Sequence, residues 1–71
     1  MERKVLVTKL IKLIGESPNG WQEAVENALE EANKTVRHIK RLYVDRFIGV
    51  VENGKIREYR AVVTLAFEVE R

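Results

Sequence analysis

The sequence contains no cysteine, a single proline, a single histidine and only five aromatic rings of the Phe, Trp and Tyr type in its 71 residues, one of them tryptophan. Without cysteine there is no disulfide staple and no thiol nucleophile, and one histidine makes neither a zinc site nor a histidine-dependent relay on its own. The longest mainly apolar stretch, Val5 to Ile14, is interrupted by Lys9 and Lys12. It falls well short of the roughly 20 residues of a membrane-spanning helix. The charged start Met1-Glu2-Arg3-Lys4 is not followed by a continuous apolar region and a small-residue cleavage site, so no signal peptide is read. A cytoplasmic protein without a membrane partner is the expectation.

What is present fits a globular chain: 45% hydrophobic and 34% charged residues place it outside the disordered class. At this length residues 1–71 form a single domain that buries only about 60% of the surface its unfolded chain exposes. With no disulfide or metal to support so thin a core, oligomerisation is the remaining support. The formal charge of +2 comes from 13 basic and 11 acidic residues that alternate along the chain. Basic side chains do not gather into a stripe and few aromatics accompany them, so no nucleic-acid partner is expected.

Hydrophobic periodicity divides the chain into four elements. From Lys4 to Gly15 an extended chain places Val5, Val7, Ile11 and Leu13 on one side and Leu6, Leu10 and Ile14 on the other. Clustered valine and isoleucine followed by Gly15-Glu16-Ser17-Pro18-Asn19-Gly20 favour a strand entering a loop. From Gly20 to about His38 the period changes, with Trp21, Ala24, Val25, Ala28, Leu29, Ala32 and Val36 at helical spacing. Ser17 or Asn19 can cap this amphipathic helix, and Ala24, Ala28 and Ala32 allow close approach of another layer. Period two returns from Ile39 to Glu52, with Leu42, Val44, Ile48 and Val50 on one face and Tyr43, Phe47 and Val51 on the other. Asn53-Gly54 then supplies a type I′ hairpin turn into a third strand from Lys55 to Val69.

The predicted fold is therefore α+β: a β-α-β-β unit in which one amphipathic helix covers one face of a three-stranded antiparallel sheet. The other face, carrying Phe47, Val51, Val62, Ala66 and one apolar side of the first strand, exceeds what a soluble monomer tolerates. Self-assembly is the consequence.

Catalytic chemistry finds little to work with. Ser17 and His38 lie at opposite ends of the helix, and His38 reads as a helix-end residue facing free carbonyls. Gly15 and Gly20 lack the lysine and hydroxyl of a phosphate loop. Glu26, Glu30 and Glu31 read as a solvated helix face, although a cation held across an interface would use the same groups. Trp21 opens the apolar stripe and is expected to pack in a core or interface. Tyr43, Arg41 and Arg60 fall on the outward side of the sheet, where they could line a subunit contact or a ligand; an arginine there could fork onto a carboxylate or phosphate or form an intersubunit salt bridge.

The run Gly15-Glu16-Ser17-Pro18-Asn19-Gly20-Trp21-Gln22-Glu23-Ala24-Val25, then Ala28, Ala32 and Lys34-Thr35-Val36-Arg37-His38-Ile39, resembles the loop and helix of the dodecins. Val44 to Asn53-Gly54, Glu58-Tyr59-Arg60 and the ending Leu65-Ala66-Phe67-Glu68-Val69 continue the likeness, which covers about Thr8 to Glu70. The resemblance implies a sheet partly wrapping its helix, assembled as a hollow homododecamer. It also implies a protein that is not an enzyme and that binds and stores a small molecule, with riboflavin or FMN as the family ligand. In flavin-binding dodecins a tryptophan shortly after the helix stacks on the flavin and a glutamine in the last strand bonds its polar edge. By the resemblance these positions fall on Arg41 and Arg60. A stacking platform is thereby replaced by a cation, and an amide that donates and accepts by a donor-only group. Arg41, Arg60 and Tyr43 are the candidate ligand-binding residues. The alternative is a structural shell without flavin, holding an anionic ligand or a metal ion.

Overall fold

The structure is a computed structural model that describes residues 6–70. Its elements follow the order β1 (Leu6–Ser17), α1 (Trp21–Asn33), β2 (Ile39–Glu52) and β3 (Lys55–Glu70). β3 lies in the centre of one antiparallel sheet, in the order β1-β3-β2. β1 and β2 thus run in the same direction on either side of it, joined by the helix. The expected fold class is the observed one. Lys4 and Val5 of the expected first strand lie outside the described residues, while Gly15, Glu16 and Ser17, read as loop, continue the strand by pairing with Ala61, Arg60 and Tyr59.

Helix α1 lies mainly over β1 and β3. Its three alanines face the sheet as expected: Ala24, Ala28 and Ala32 are buried, and Ala24 and Ala28 form the core with Ala61 and Val63, flanked by Leu13, Val25 and Leu42. The layers meet closely because Gly15 stands opposite the helix. A Cβ added there would fall 1.9 Å from the Ala24 carbonyl oxygen and 3.0 Å from the Ala28 Cβ.

The helix stops at Asn33, five residues before the expected end. Asn33, the β-branched Thr35 and Val36 are weak helix formers. The chain leaves through a turn in which the Thr35 and Val36 amides both donate to the Ala32 carbonyl. His38 is consequently not a helix-end residue; it sits in the connection to β2 with φ of 63°. At the other end neither Ser17 nor Asn19 caps the backbone. Gly20 is the N-cap without a side-chain bond, and Ser17 Oγ (2.8 Å) and Asn19 Nδ2 (3.0 Å) instead donate to the carboxylate of Glu23 in the first turn. The buried Ser17 hydroxyl also accepts from the Asn19 amide at 2.9 Å.

The larger departure concerns the faces of β2. The register slips at Lys40, Asp45 and Arg57, each a charged residue passed over in the ladder. An extra residue in one strand turns everything beyond it to the opposite face. Leu42 and Val44 oppose Leu65 and Val63 on the helix side as expected, and Tyr43 opposes Thr64 on the outer side. Beyond Asp45 the assignment inverts. Phe47 opposes Ala61 on the helix side, and its ring meets Trp21 edge-on at 5.9 Å, while Ile48 and Val50 oppose Arg60 and Glu58 on the outer side. Val51 is likewise returned to the helix side, opposite Ile56. Trp21 fills its expected packing role between Phe47 and Tyr59, the latter at 4.7 Å, with its indole N–H donating to the Ile48 carbonyl at 3.1 Å.

The principal extents are 64 × 20 × 13 Å and the radius of gyration is 15.6 Å. A compact chain of this length has about 11 Å. The excess arises because the β2–β3 hairpin runs far beyond the 13-residue helix.

Candidate functional site

The outer face of the sheet can be laid out from the register. Across β1, β3 and β2 the rows read Leu10, Ala66, Arg41; then Lys12, Thr64, Tyr43; then Ile14, Val62, Arg46; then Glu16, Arg60, Ile48. Arg41 and Tyr43 occupy neighbouring rows on one edge strand. Arg60 stands on the central strand, three rows from Arg41, about 20 Å away at 3.3 Å per residue. The structure therefore confines all three candidate residues to the outer face but brings only Arg41 and Tyr43 together within one subunit.

Their surroundings differ as much as their positions. Arg60 donates from Nε to Glu58 Oε1 at 2.7 Å and lies 3.8 Å from Glu16 Oε2. The hydrogen bond to Glu58, helped by both negative charges, raises the guanidinium pKa further above its usual value. Two carboxylates thus already hold its charge. Arg41 makes no ion pair among the described residues and is exposed, beside a Tyr43 that is half exposed. A fork of donors next to an aromatic ring can take a flat or anionic group.

Between these two arginines lies a polar link that sequence reasoning missed. Asp45, turned out at its bulge, accepts from the Thr64 hydroxyl at 2.5 Å, and Lys12 Nζ lies 3.5 Å from the same oxygen. The Thr64 hydrogen bond lowers the Asp45 pKa; desolvation opposes it and the Lys12 charge supports it. The signal was present in the sequence as two consecutive polar residues, Asp45-Arg46, breaking an otherwise alternating strand. Apolar side chains are also exposed on the outer face: Leu6, Leu10 and Ile14 of β1 are each more than half exposed. Among the described residues no three His, Asp or Glu side chains converge on one point, and no described helix is long and apolar enough to cross a membrane.

The dodecin family profile matches residues 7–70, which is the whole of this fold. The chain belongs to the dodecin family. Dodecin from Thermus thermophilus is 33% identical over 64 residues, covering 90% of this chain and 93% of that protein. A crystal structure of a Thermus thermophilus protein superposes with a TM-score of 0.87 at 31% identity, over 94% of this chain and 98% of the other. The dodecin of Streptomyces coelicolor gives the same TM-score at 27% identity, over 93% and 94% of the two chains. Likeness at this coverage extends to the dodecin arrangement of helix and sheet from end to end.

Proposed function

We propose that this dodecin-family chain assembles as a hollow homododecamer that holds a small ligand rather than catalysing a reaction. The observation that carries the assembly is the pair of apolar patches on opposite faces. Leu6, Leu10, Ile14 and Tyr43 form one on the outer face; Val51 and Ile56, with the side of Phe47 that Trp21 leaves exposed, form another on the helix side of the hairpin. A single two-fold contact covers one patch twice and leaves the other in water. Covering both takes either a second kind of contact or a head-to-tail one, and each builds an assembly larger than a dimer; the closed twelve-subunit shell is the form that the family resemblance implies.

The ligand is read from Arg41 and Tyr43. By the family resemblance Arg41 stands where flavin-binding dodecins carry the stacking tryptophan. The residues present do not fit the flavin ring sandwich, because position 41 offers no aromatic plane and Arg60 is committed to Glu58 and Glu16. They fit an anionic small molecule at Arg41, whose interaction strengthens when the face is closed in the assembly and water is excluded. Riboflavin and FMN serve as the diagnostic ligands. Retention of full flavin fluorescence at tens of micromolar protein is expected; strong quenching by the purified protein contradicts this reading of position 41.

A second reading is a structural shell whose arginines close subunit contacts; the Glu16–Arg60–Glu58 cluster, which occupies Arg60 within its own subunit, favours a structural role for Arg60 over ligand binding. Arg41→Ala and Arg60→Ala separate the two. Ligand loss from an intact shell supports binding at Arg41, whereas a weakened oligomer supports the structural role. A cytoplasmic, soluble assembly without a nucleic-acid partner is part of the same proposal.

A further inference from the structure

A hollow with cationic side chains on its rim lies elsewhere on the molecule, and none of Arg41, Tyr43 or Arg60 lines it. Where the chain passes from α1 to β2, an open hollow of about 800 Å³ is lined by Thr35, Val36, Arg37, His38 and Lys40 on one side and by Phe67 among the β3 residues on the other. Two irregularities of the backbone meet at this point. His38 holds a left-handed φ of 63°, unfavourable for a side-chain-bearing residue. Lys40, two residues on, is passed over in the ladder with β3. A bulge re-aims the side chain that it carries, and strained backbone of this kind persists where surrounding structure holds it. Here both irregularities deliver cationic or hydrogen-bonding groups to one hollow.

We propose that this hollow binds a phosphate monoester with an apolar substituent. Arg37 supplies a planar fork and Lys40 a mobile point charge, the two modes by which proteins grip phosphate. Thr35 and His38 can add donors for the remaining oxygens. Val36 and Phe67 offer an apolar wall for the substituent. Glu68 also lines the hollow; its charge offsets one of the two permanent cations and leaves one in excess. The proposal stands independently of the ligand read at Arg41.

Phenyl phosphate, phenol and benzoate, titrated calorimetrically into the full-length protein, test it. Phenyl phosphate binding in the sub-millimolar range, weakened by salt and at least several-fold tighter than either comparison compound, is expected. Arg37→Gln and Lys40→Gln should each weaken it by about tenfold, the scale of losing one charge-assisted contact. Both side chains are exposed, and unchanged size-exclusion profiles confirm intact variants. No binding of phenyl phosphate, equal binding of phenol, or binding that survives both substitutions and disappears in Arg41→Ala would each overturn the assignment.

Discussion

Gly15→Ala adds one methyl group at the point where strand and helix are closest. That methyl carbon would sit 1.9 Å from the Ala24 carbonyl oxygen, 2.9 Å from its carbonyl carbon and 3.0 Å from the Ala28 Cβ. Even a close carbon-to-oxygen contact is about 3.3 Å, so strand and helix must separate by more than 1 Å. The obstacle is main chain and cannot rotate away as a side chain would. Separation also loosens the packing of Ala24 and Ala28 on Ala61 and Val63 in the apolar core. Overpacking costs about 1–3 kcal/mol where a core can adjust, and the upper end or beyond applies here. For a domain of this size each kcal/mol moves Tm by about 4–8 °C, so a loss of 12 °C or more is expected. Thermal unfolding followed by circular dichroism at one fixed protein concentration is the assay, since assembly makes Tm concentration-dependent. Gly49→Ala is the matched control. Its added Cβ meets Ile56 at an ordinary 3.6 Å, and removing a strand-interior glycine contributes about 0.5–1 kcal/mol of stability. If Gly15→Ala melts within about 3 °C of the parent protein, the close helix-to-strand approach described here is wrong.

Three further outcomes are expected. Trp21→Phe keeps a ring between Phe47 and Tyr59 but removes the indole donor to the Ile48 carbonyl; a loss of about 1 kcal/mol in denaturant unfolding is expected, and an unchanged midpoint would show that the bond contributes nothing. Asp45 should titrate below the usual aspartate value of about 3.8, as followed by carbon NMR, and Thr64→Val should bring it back up. Because the folded-state pKa is the lower one, the contribution of Asp45 to stability is present above the unfolded value and is lost as pH falls through the folded one; its place on a solvent-facing sheet surface keeps that contribution small and salt-sensitive. Gly54→Ala forces a side chain to φ of +77° and should cost about 1–2 kcal/mol through the hairpin turn alone, visible as a lowered urea midpoint without loss of the helix signal in the folded protein.

Much of the architecture was legible because local patterns were unambiguous. The Asn53-Gly54 turn, the alternation from Tyr59 to Val69 and the alanines every fourth residue each have one physical solution, and the elements fell where those patterns placed them. The helix end was misplaced because Val36 keeps the helical spacing while Thr35 and Asn33 weaken the helix; periodicity and propensity disagreed there, and propensity prevailed. The faces of β2 were half legible. Period two holds on each side of Asp45, but strict alternation carries no record of an inserted residue, so Phe47, Ile48, Val50 and Val51 were all assigned to the wrong side. The candidate site suffered from a related limit. Alternation could place Arg41, Tyr43 and Arg60 on one face, yet only the register shows that Arg60 is three rows from Arg41, and only the side-chain contacts show it paired with Glu58 and Glu16.

Self-assembly is the central claim, and native mass spectrometry of the intact protein tests it most directly. Twelve copies of the 8.3 kDa chain should appear as one closed species near 100 kDa, with no ladder of open intermediates. A stable 8.3 kDa monomer at micromolar concentration would contradict the account, because it would leave both apolar faces in water.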